Sequence, residues 1–282
     1  MSHEKVPSVG SETWQPEYLR QHVAEQAKYL DTVAASDVVQ QVAERAMKLL
    51  ALVAGATVLE LGCGNGVFLP RLAKAVGTMG KVVGIDHSAD FAAQAQARVA
   101  SDGLGDCVSV QVGDAYALPF ADHAFDAGHC ERVLMHLERP NAALAELARV
   151  VKPGGIVVVA EPDWMGVRID HPDREVFDVV FARAHKHRNP DMGLTLYRRL
   201  GEVGLVNRRH SNVSVIVEDF KAWKMFGLDL ELAIEQVASD GMFAASRLAA
   251  ILPALEAASE HGRFYSAATI HVVAGVVPAS EA

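Results

Sequence analysis

A chain of 282 residues, half of them hydrophobic, is long enough for one large or two small domains around an extended core. Its net charge of −9 argues against a nucleic-acid track, which needs clustered cations. No run approaches the roughly 20 apolar residues of a membrane span. The start, Met1-Ser2-His3-Glu4-Lys5, lacks the layout of a secretion signal, so a cytoplasmic location is the expectation. Cys63, Cys107 and Cys130 show neither zinc nor disulfide spacing, and no metal is expected.

Residues 1–14 read as a loose polar tail, followed by two helices. In the first, Tyr18, His22, Glu25, Gln26 and Tyr29 fall on one polar-aromatic face. Such a stripe has no reason to face an apolar core, and residues 1–54 are expected to form a tail and a helical lid over a ligand. In the second, Val38, Val39, Val42, Ala46, Leu49, Leu50 and Val53 form an apolar face that Gly55 is expected to stop.

Residues 55–161 alternate strand and helix. Strands are predicted over 57–61, 81–86, 107–112, 125–130 and 156–161, with helices over 66–76, 88–100 and 141–151. This alternation predicts a parallel sheet covered on both faces, with the wholly apolar run Ile156-Val157-Val158-Val159-Ala160 in a central strand. Helices near 172–187 and 193–203 lead to a strand at 205–217. A helical insertion at 219–261 follows, and a last strand near 264–277. The domain reading is a core over 55–218, a cap over 219–261 and a final strand and tail over 262–282.

The informative segment is Glu60-Leu61-Gly62-Cys63-Gly64-Asn65-Gly66, a strand that breaks into alternating glycines before a helix. Glycines let the backbone turn sharply and meet a ligand closely, at the strand edge where open α/β sheets bind nucleotides. The dinucleotide fingerprint wants its third glycine where Val67 stands, which weakens a nicotinamide reading. Asp86 ends the second strand roughly 20 residues on, where a carboxylate can accept both hydroxyls of a ribose or, alternatively, cap the next helix.

These segments, with Gly84-Ile85-Asp86, Gly113-Asp114-Ala115, Asp114 through Asp122, Phe125-Asp126 and Arg149-Val150-Val151-Lys152-Pro153-Gly154-Gly155, resemble a class I S-adenosylmethionine-dependent methyltransferase. The branch resembled includes the ubiquinone/menaquinone C-methyltransferases, and the similarity covers roughly residues 55–161. It implies a Rossmann-like α/β fold, mostly parallel with an antiparallel last strand, here with N-terminal helices and the insertion added. It also implies S-adenosyl-L-methionine as cofactor, S-adenosyl-L-homocysteine as product and a small-molecule acceptor, C- or O-methylated by in-line transfer. A non-methylating member catalysing a cyclisation is the alternative, and a homo-oligomer is left open.

The resemblance places Glu60, Gly62, Cys63 and Gly64 around the amino-acid end of the cofactor and Asp86 on its ribose. Asp114 and Ala115 fall at the adenine, with His87 against it or loose in its loop. Glu131 suits the sulfonium, or pairs with Arg132. As a base for a hydroxyl acceptor, His129, His136, His171 or Asp163 could serve. Tyr18, Gln26, Tyr29 and Trp164 are candidates for lid and acceptor contacts. Pro162 is expected to break the fifth strand and turn Asp163 and Trp164 over the pocket. Acceptor specificity is expected in 162–204 and 219–261, among Trp164, Phe177, Phe181, Tyr197, Trp223, Phe226 and Phe243. His185 and His187, two apart, do not share a helix face and are not read as metal ligands.

Overall fold

A computed structural model describes residues 11–185, 187–223 and 228–279. Phe226 therefore lies outside the described residues. Seven strands form one sheet in the order β3-β2-β1-β4-β5-β7-β6. They are β1 (Thr57–Leu61), β2 (Lys81–Asp86), β3 (Val108–Val112), β4 (Phe125–Glu131), β5 (Val151–Ile169), β6 (Val206–Val217) and β7 (Ser266–Val276). Strands β1 to β5 pair in parallel, and β7 runs antiparallel between β5 and β6, as expected.

Alternation of side chains along each strand sends residues to opposite faces, and here both faces are covered, which explains the continuous apolar runs. Val58, Val82, Val110, Val158, Val215 and Ile270 pack with α2 (Asp37–Leu50), α3 (Leu69–Val76) and α4 (Ala89–Ser101). Leu59, Leu61, Ile85, Val157 and Val159 pack with α5 (Pro140–Val150) and α7 (Met192–Glu202). Between them α6 (Arg174–Arg183) follows β5, and α1 (Pro16–Ala34) precedes the sheet.

Among the described residues, four helices, α8 (Phe220–Trp223), α9 (Leu230–Ser239), α10 (Ala245–Ala249) and α11 (Ile251–Glu260), lie between β6 and β7. With α6 they enclose a separate core of Val167, Ile169, Phe177, Phe181, Trp223 and Phe264. Arg247 of α10 donates to both carboxylate oxygens of Asp173, which also caps α6, so the insertion is tied to the segment after β5.

Several expectations need correction. Pro162 does not break β5: the strand continues to Ile169, paired with β7, with a register shift between Asp163 and Arg168. Ala160 accepts from the Arg132 N–H on the β4 side, and Pro162, two residues on, faces that same side beyond the end of β4. No ladder bond is lost there by a residue without an N–H. Helix α2 stops at Ala51, left-handed at φ 46° with its N–H on Met47, rather than at Gly55, and Val53 is 70% exposed. Helix α1 is kinked at His22, and Glu25 is exposed, so the polar-aromatic face is narrower than its spacing suggests. Residues Ser11–Trp14, expected in a loose tail, form a 3-10 helix docked on the molecule.

Candidate functional site

The carboxyl ends of β1, β2 and β4 meet at a cavity of about 670 Å³. After β1 the chain must turn within two residues, and Gly62 does so at φ 72° with its N–H on Ile85 O at 2.8 Å. A Cβ there would lie 2.3 Å from Val133 Cγ2, so the close approach of two loops, as well as the left-handed backbone, excludes a side chain. Gly64, also left-handed, donates its N–H to Asp86 Oδ2 at 2.9 Å, and Ser88 donates to Asp86 Oδ1 at 2.9 Å. Ser88, not Asp86, caps α4 through Phe91 N. Asp86 thus fastens the glycine loop to the second strand; Oδ1 also faces His87 Nδ1 at 3.4 Å, and Oδ2, with Gly64 N alone, retains a lone pair.

Glu60 sits two residues before Gly62, buried, with Oε2 2.7 Å from His129 Nδ1 on the adjacent strand. His129 is fully buried and stacks on Phe68 at 4.4 Å between centroids. Burial pushes the Glu60 carboxyl up, against the pull of the His129 charge. Burial pulls the His129 imidazole down, but the Glu60 charge and hydrogen bond, aided by Glu131, outweigh it and hold it above its ordinary value. Cys63, in the loop itself, is buried between the carboxylates of Asp86 and Glu60, and its thiol is pushed far up, which opposes a nucleophilic thiolate.

At the end of β4, Glu131 Oε1 accepts from Arg132 Nε at 3.2 Å, while the buried Oε2 has no partner. Glu161 accepts from Val133 N at 2.9 Å and Leu134 N at 2.6 Å, fixing the short 3-10 helix Leu134–His136. Burial pushes this carboxyl up to about 8. His136 faces the cavity with Nδ1 3.3 Å from Ser11 Oγ and its ring 5.5 Å from Trp14. Burial, then the charges of His187, Arg132 and His87, hold it well below the ordinary imidazole value, so it is neutral at neutral pH and a weaker base than a free imidazole. Trp164 stacks on His187 at 4.9 Å and points Nε1 at Met135 Sδ, 3.3 Å away.

The structure gathers Glu60, Gly62, Cys63, Gly64, Asp86, His87, Asp114, Ala115, Glu131, His136, Asp163, Trp164 and Tyr29 along this cavity. His129 stands behind Glu60, outside the lining, and His171 stacks on Phe177 within the insertion's core. Tyr18, stacked on His22, and Gln26, buried with neither amide atom partnered, also lie outside the lining. Of the aromatics expected to shape the acceptor site, Trp164 and Trp223 line the cavity, Phe177 and Phe181 pack in the insertion's core, and Tyr197 is exposed. His87 is exposed, its Nε2 2.9 Å from Trp14 O and its Nδ1 3.4 Å from Asp86. Asp114 is exposed and accepts from Tyr116 N at 2.8 Å. Among the described residues no cluster able to hold a metal ion occurs.

Residues not foreseen are Trp14, Met135, His187, Arg71 and the β6 and β7 residues Val215, Val217 and Ile270, all on the cavity wall. A lone tryptophan in a polar tail was a signal for the first. The others come to the wall only through tertiary placement.

A glycine cradle with left-handed turns, a buried carboxylate at the second strand end and, at the fourth, a carboxylate with one oxygen unpartnered fit a cofactor with a ribose diol and a cationic centre. The chain belongs to the class I S-adenosylmethionine-dependent methyltransferases, and S-adenosylmethionine is its cofactor. Residues 59–159 match the family described as "Methyltransferase domain". An uncharacterised 37.1 kDa protein in transposon TN4556 of Streptomyces fradiae is 34% identical over 258 residues, covering 89% of this chain and 71% of that one. Demethylmenaquinone methyltransferase of Desulfitobacterium hafniense is 34% identical over 117 residues, covering 40% of this chain and 46% of that enzyme. Among solved structures, the cyclase SpnF superposes with a TM-score of 0.59 at 20% identity over 98% of this chain and 99% of that one, which speaks to the fold alone. No helix among the described residues is long and apolar enough to cross a membrane.

Proposed function

We propose that the protein methylates a small, largely apolar metabolite. The observation that carries this is the reach of the cavity. Its lining runs from Asp114 after β3 to Val217 at the end of β6, six strand spacings apart in the sheet order, or roughly 29 Å at 4.8 Å each. That is longer than a single nucleoside-sized ligand, and the far part is lined by Val215, Val217, Ile270 and Trp223. The cofactor, when bound, supplies an electrophilic methyl group on a sulfonium. Glu60, Gly62, Cys63 and Gly64 would hold its amino-acid end, Asp86 its ribose and Asp114, Ala115 and His87 its adenine. The free Oε2 of Glu131 suits the cationic centre. Displacement needs the nucleophile aligned about 3 Å from the methyl carbon with water excluded. For that, Trp14, docked by Ser11 on Met135 and Arg188, and Tyr29 of α1 form the roof, and residues 15–30 act as the lid.

If the acceptor is a hydroxyl, the groups placed to take its proton are His136, a weak base while its pKa is held down, and Asp163, buried on the same wall with Oδ1 held by Gly166 N at 3.0 Å. His129 acts through Glu60 as a positioning residue. Incubation with S-adenosylmethionine and a metabolite extract of the host should yield S-adenosylhomocysteine and one product heavier by a CH2 group. Cofactor binding without either product would leave cyclisation as the reading.

A further inference from the structure

The cavity's far lobe contains a cation that the cofactor does not account for. Arg71, in the first turn of α3, donates from Nη2 to Gln40 Oε1 on α2, which places its guanidinium beside Val39 and Ala43 on the cavity wall. Among the described residues no carboxylate pairs with it, whereas Arg132 has Glu131 and Arg98 has Asp31. The carboxylates on the wall, Glu60, Asp86, Asp114, Glu131, Glu138 and Asp163, lie on β1 to β5 or the loops that follow them. Around Arg71 the wall is apolar: Phe68 of the loop before α3, Val39 and Ala43 of α2, and Val215, Val217 and Ile270 from the end of the sheet on which α2 packs. A half-buried guanidinium with one neutral partner retains donors for an anion and has a planar fork suited to carboxylate or phosphate.

We infer that this lobe binds an amphipathic anion, with Arg71 holding a carboxylate or phosphate head and the valine-rich wall holding its apolar body. The inference rests on the methyltransferase reading above, since it assigns the acceptor class of the same cavity. The lobe lies on the α2–α3 face, so the anionic end of the acceptor is directed away from Glu131 and the end to be methylated toward the strand edge. An anion near Glu131 would be repelled, which sets the orientation.

The test is calorimetry on the protein loaded with S-adenosylhomocysteine, using decanoate, decyl phosphate and 1-decanol as probes. Decanoate or decyl phosphate should bind at least tenfold tighter than decanol, and whichever is tighter gives the head group. Raising the salt should shrink that preference. Arg71→Met should bring the ratio to about one while decanol affinity holds, and Arg71→Lys should keep a preference. Equal affinity for decanoate and decanol in the unmodified protein, no binding of any probe, a preference insensitive to salt, or one that survives Arg71→Met overturns the inference. S-adenosylhomocysteine affinity, measured in the same samples, is a separate readout: its absence would count against the cofactor site, not the lobe.

Discussion

Glu161→Gln isolates the charge behind the active-site loop. In the structure Glu161 is fully buried, one oxygen accepts two backbone N–H groups of residues 133 and 134, and the other has no partner. Burial raises the carboxyl from 4.5 in the unfolded chain to about 8 in the folded one. A group raised on folding contributes stability that is complete below 4.5 and is lost as pH rises through 8, because the folded state holds the proton longer. At 1.36 kcal/mol per pH unit across that window, the contribution lost is roughly 5 kcal/mol. Glutamine keeps the carbonyl acceptor and the shape of the neutral acid, so it removes the titration without opening a cavity. Urea unfolding at pH 5, 7 and 9 should show the stability of the unmodified protein falling relative to the variant by several kcal/mol, most of it between pH 5 and 8. Parallel stability profiles for the two proteins would refute the assignment of a buried, neutral Glu161.

Asp86→Ala should weaken S-adenosylhomocysteine about 30- to 150-fold, from loss of 2–3 kcal/mol of accepted hydrogen bonds, and should also lower the melting temperature because Gly64 and Ser88 lose their acceptor; unchanged affinity with the fold intact would remove the ribose assignment. Deuterium exchange over residues 15–30 should slow when the cofactor binds, and equal protection with and without it would make α1 scaffold. Trp164→Ala should change acceptor turnover while leaving S-adenosylhomocysteine affinity within about twofold, well under 1 kcal/mol; equal losses in both would mean that the stack on His187 holds up the fold. Trp223 is a poorer probe, since it is 2% exposed within the insertion's core and its truncation should cost about 3–5 kcal/mol of stability.

Local chemistry made the cofactor half of the molecule legible. Glycines at alternate positions, a strand ending in Asp86 and the apolar run of β5 each announce their backbone roles without reference to distant residues. The antiparallel β7 and the insertion before it also followed from pattern and resemblance. Pro162 misled because a missing N–H matters only on a paired edge, and which edge is paired depends on where the neighbouring strand ends. The sequence singled out His129 and His136 alike as histidines near the β4 edge, yet one is locked behind Glu60 and the other faces the cavity. That difference is set by the strand's alternation and a turn with Arg132 at φ 54°, a left-handed residue that composition does not announce. The Arg71 lobe was illegible because it joins residues from α2, α3, β6 and β7 that share no sequence signal.

The two strands that flank the insertion are hydrogen-bonded to one another at the point where it leaves the sheet, with Val217 opposite Ser266. Its ends are therefore already in contact, and the chain between them is a closed excursion from a hairpin. The entropy of closing such an excursion grows only with the logarithm of its length, each doubling adding about 0.6 kcal/mol. Segments of quite different size and sequence can be exchanged at this seam while the glycine loop and Asp86, on the other half of the sheet, stay in register. Replacement of one segment would thus change the wall that Ala222, Trp223 and Leu228 give the cavity and leave the other half of the sheet as it is.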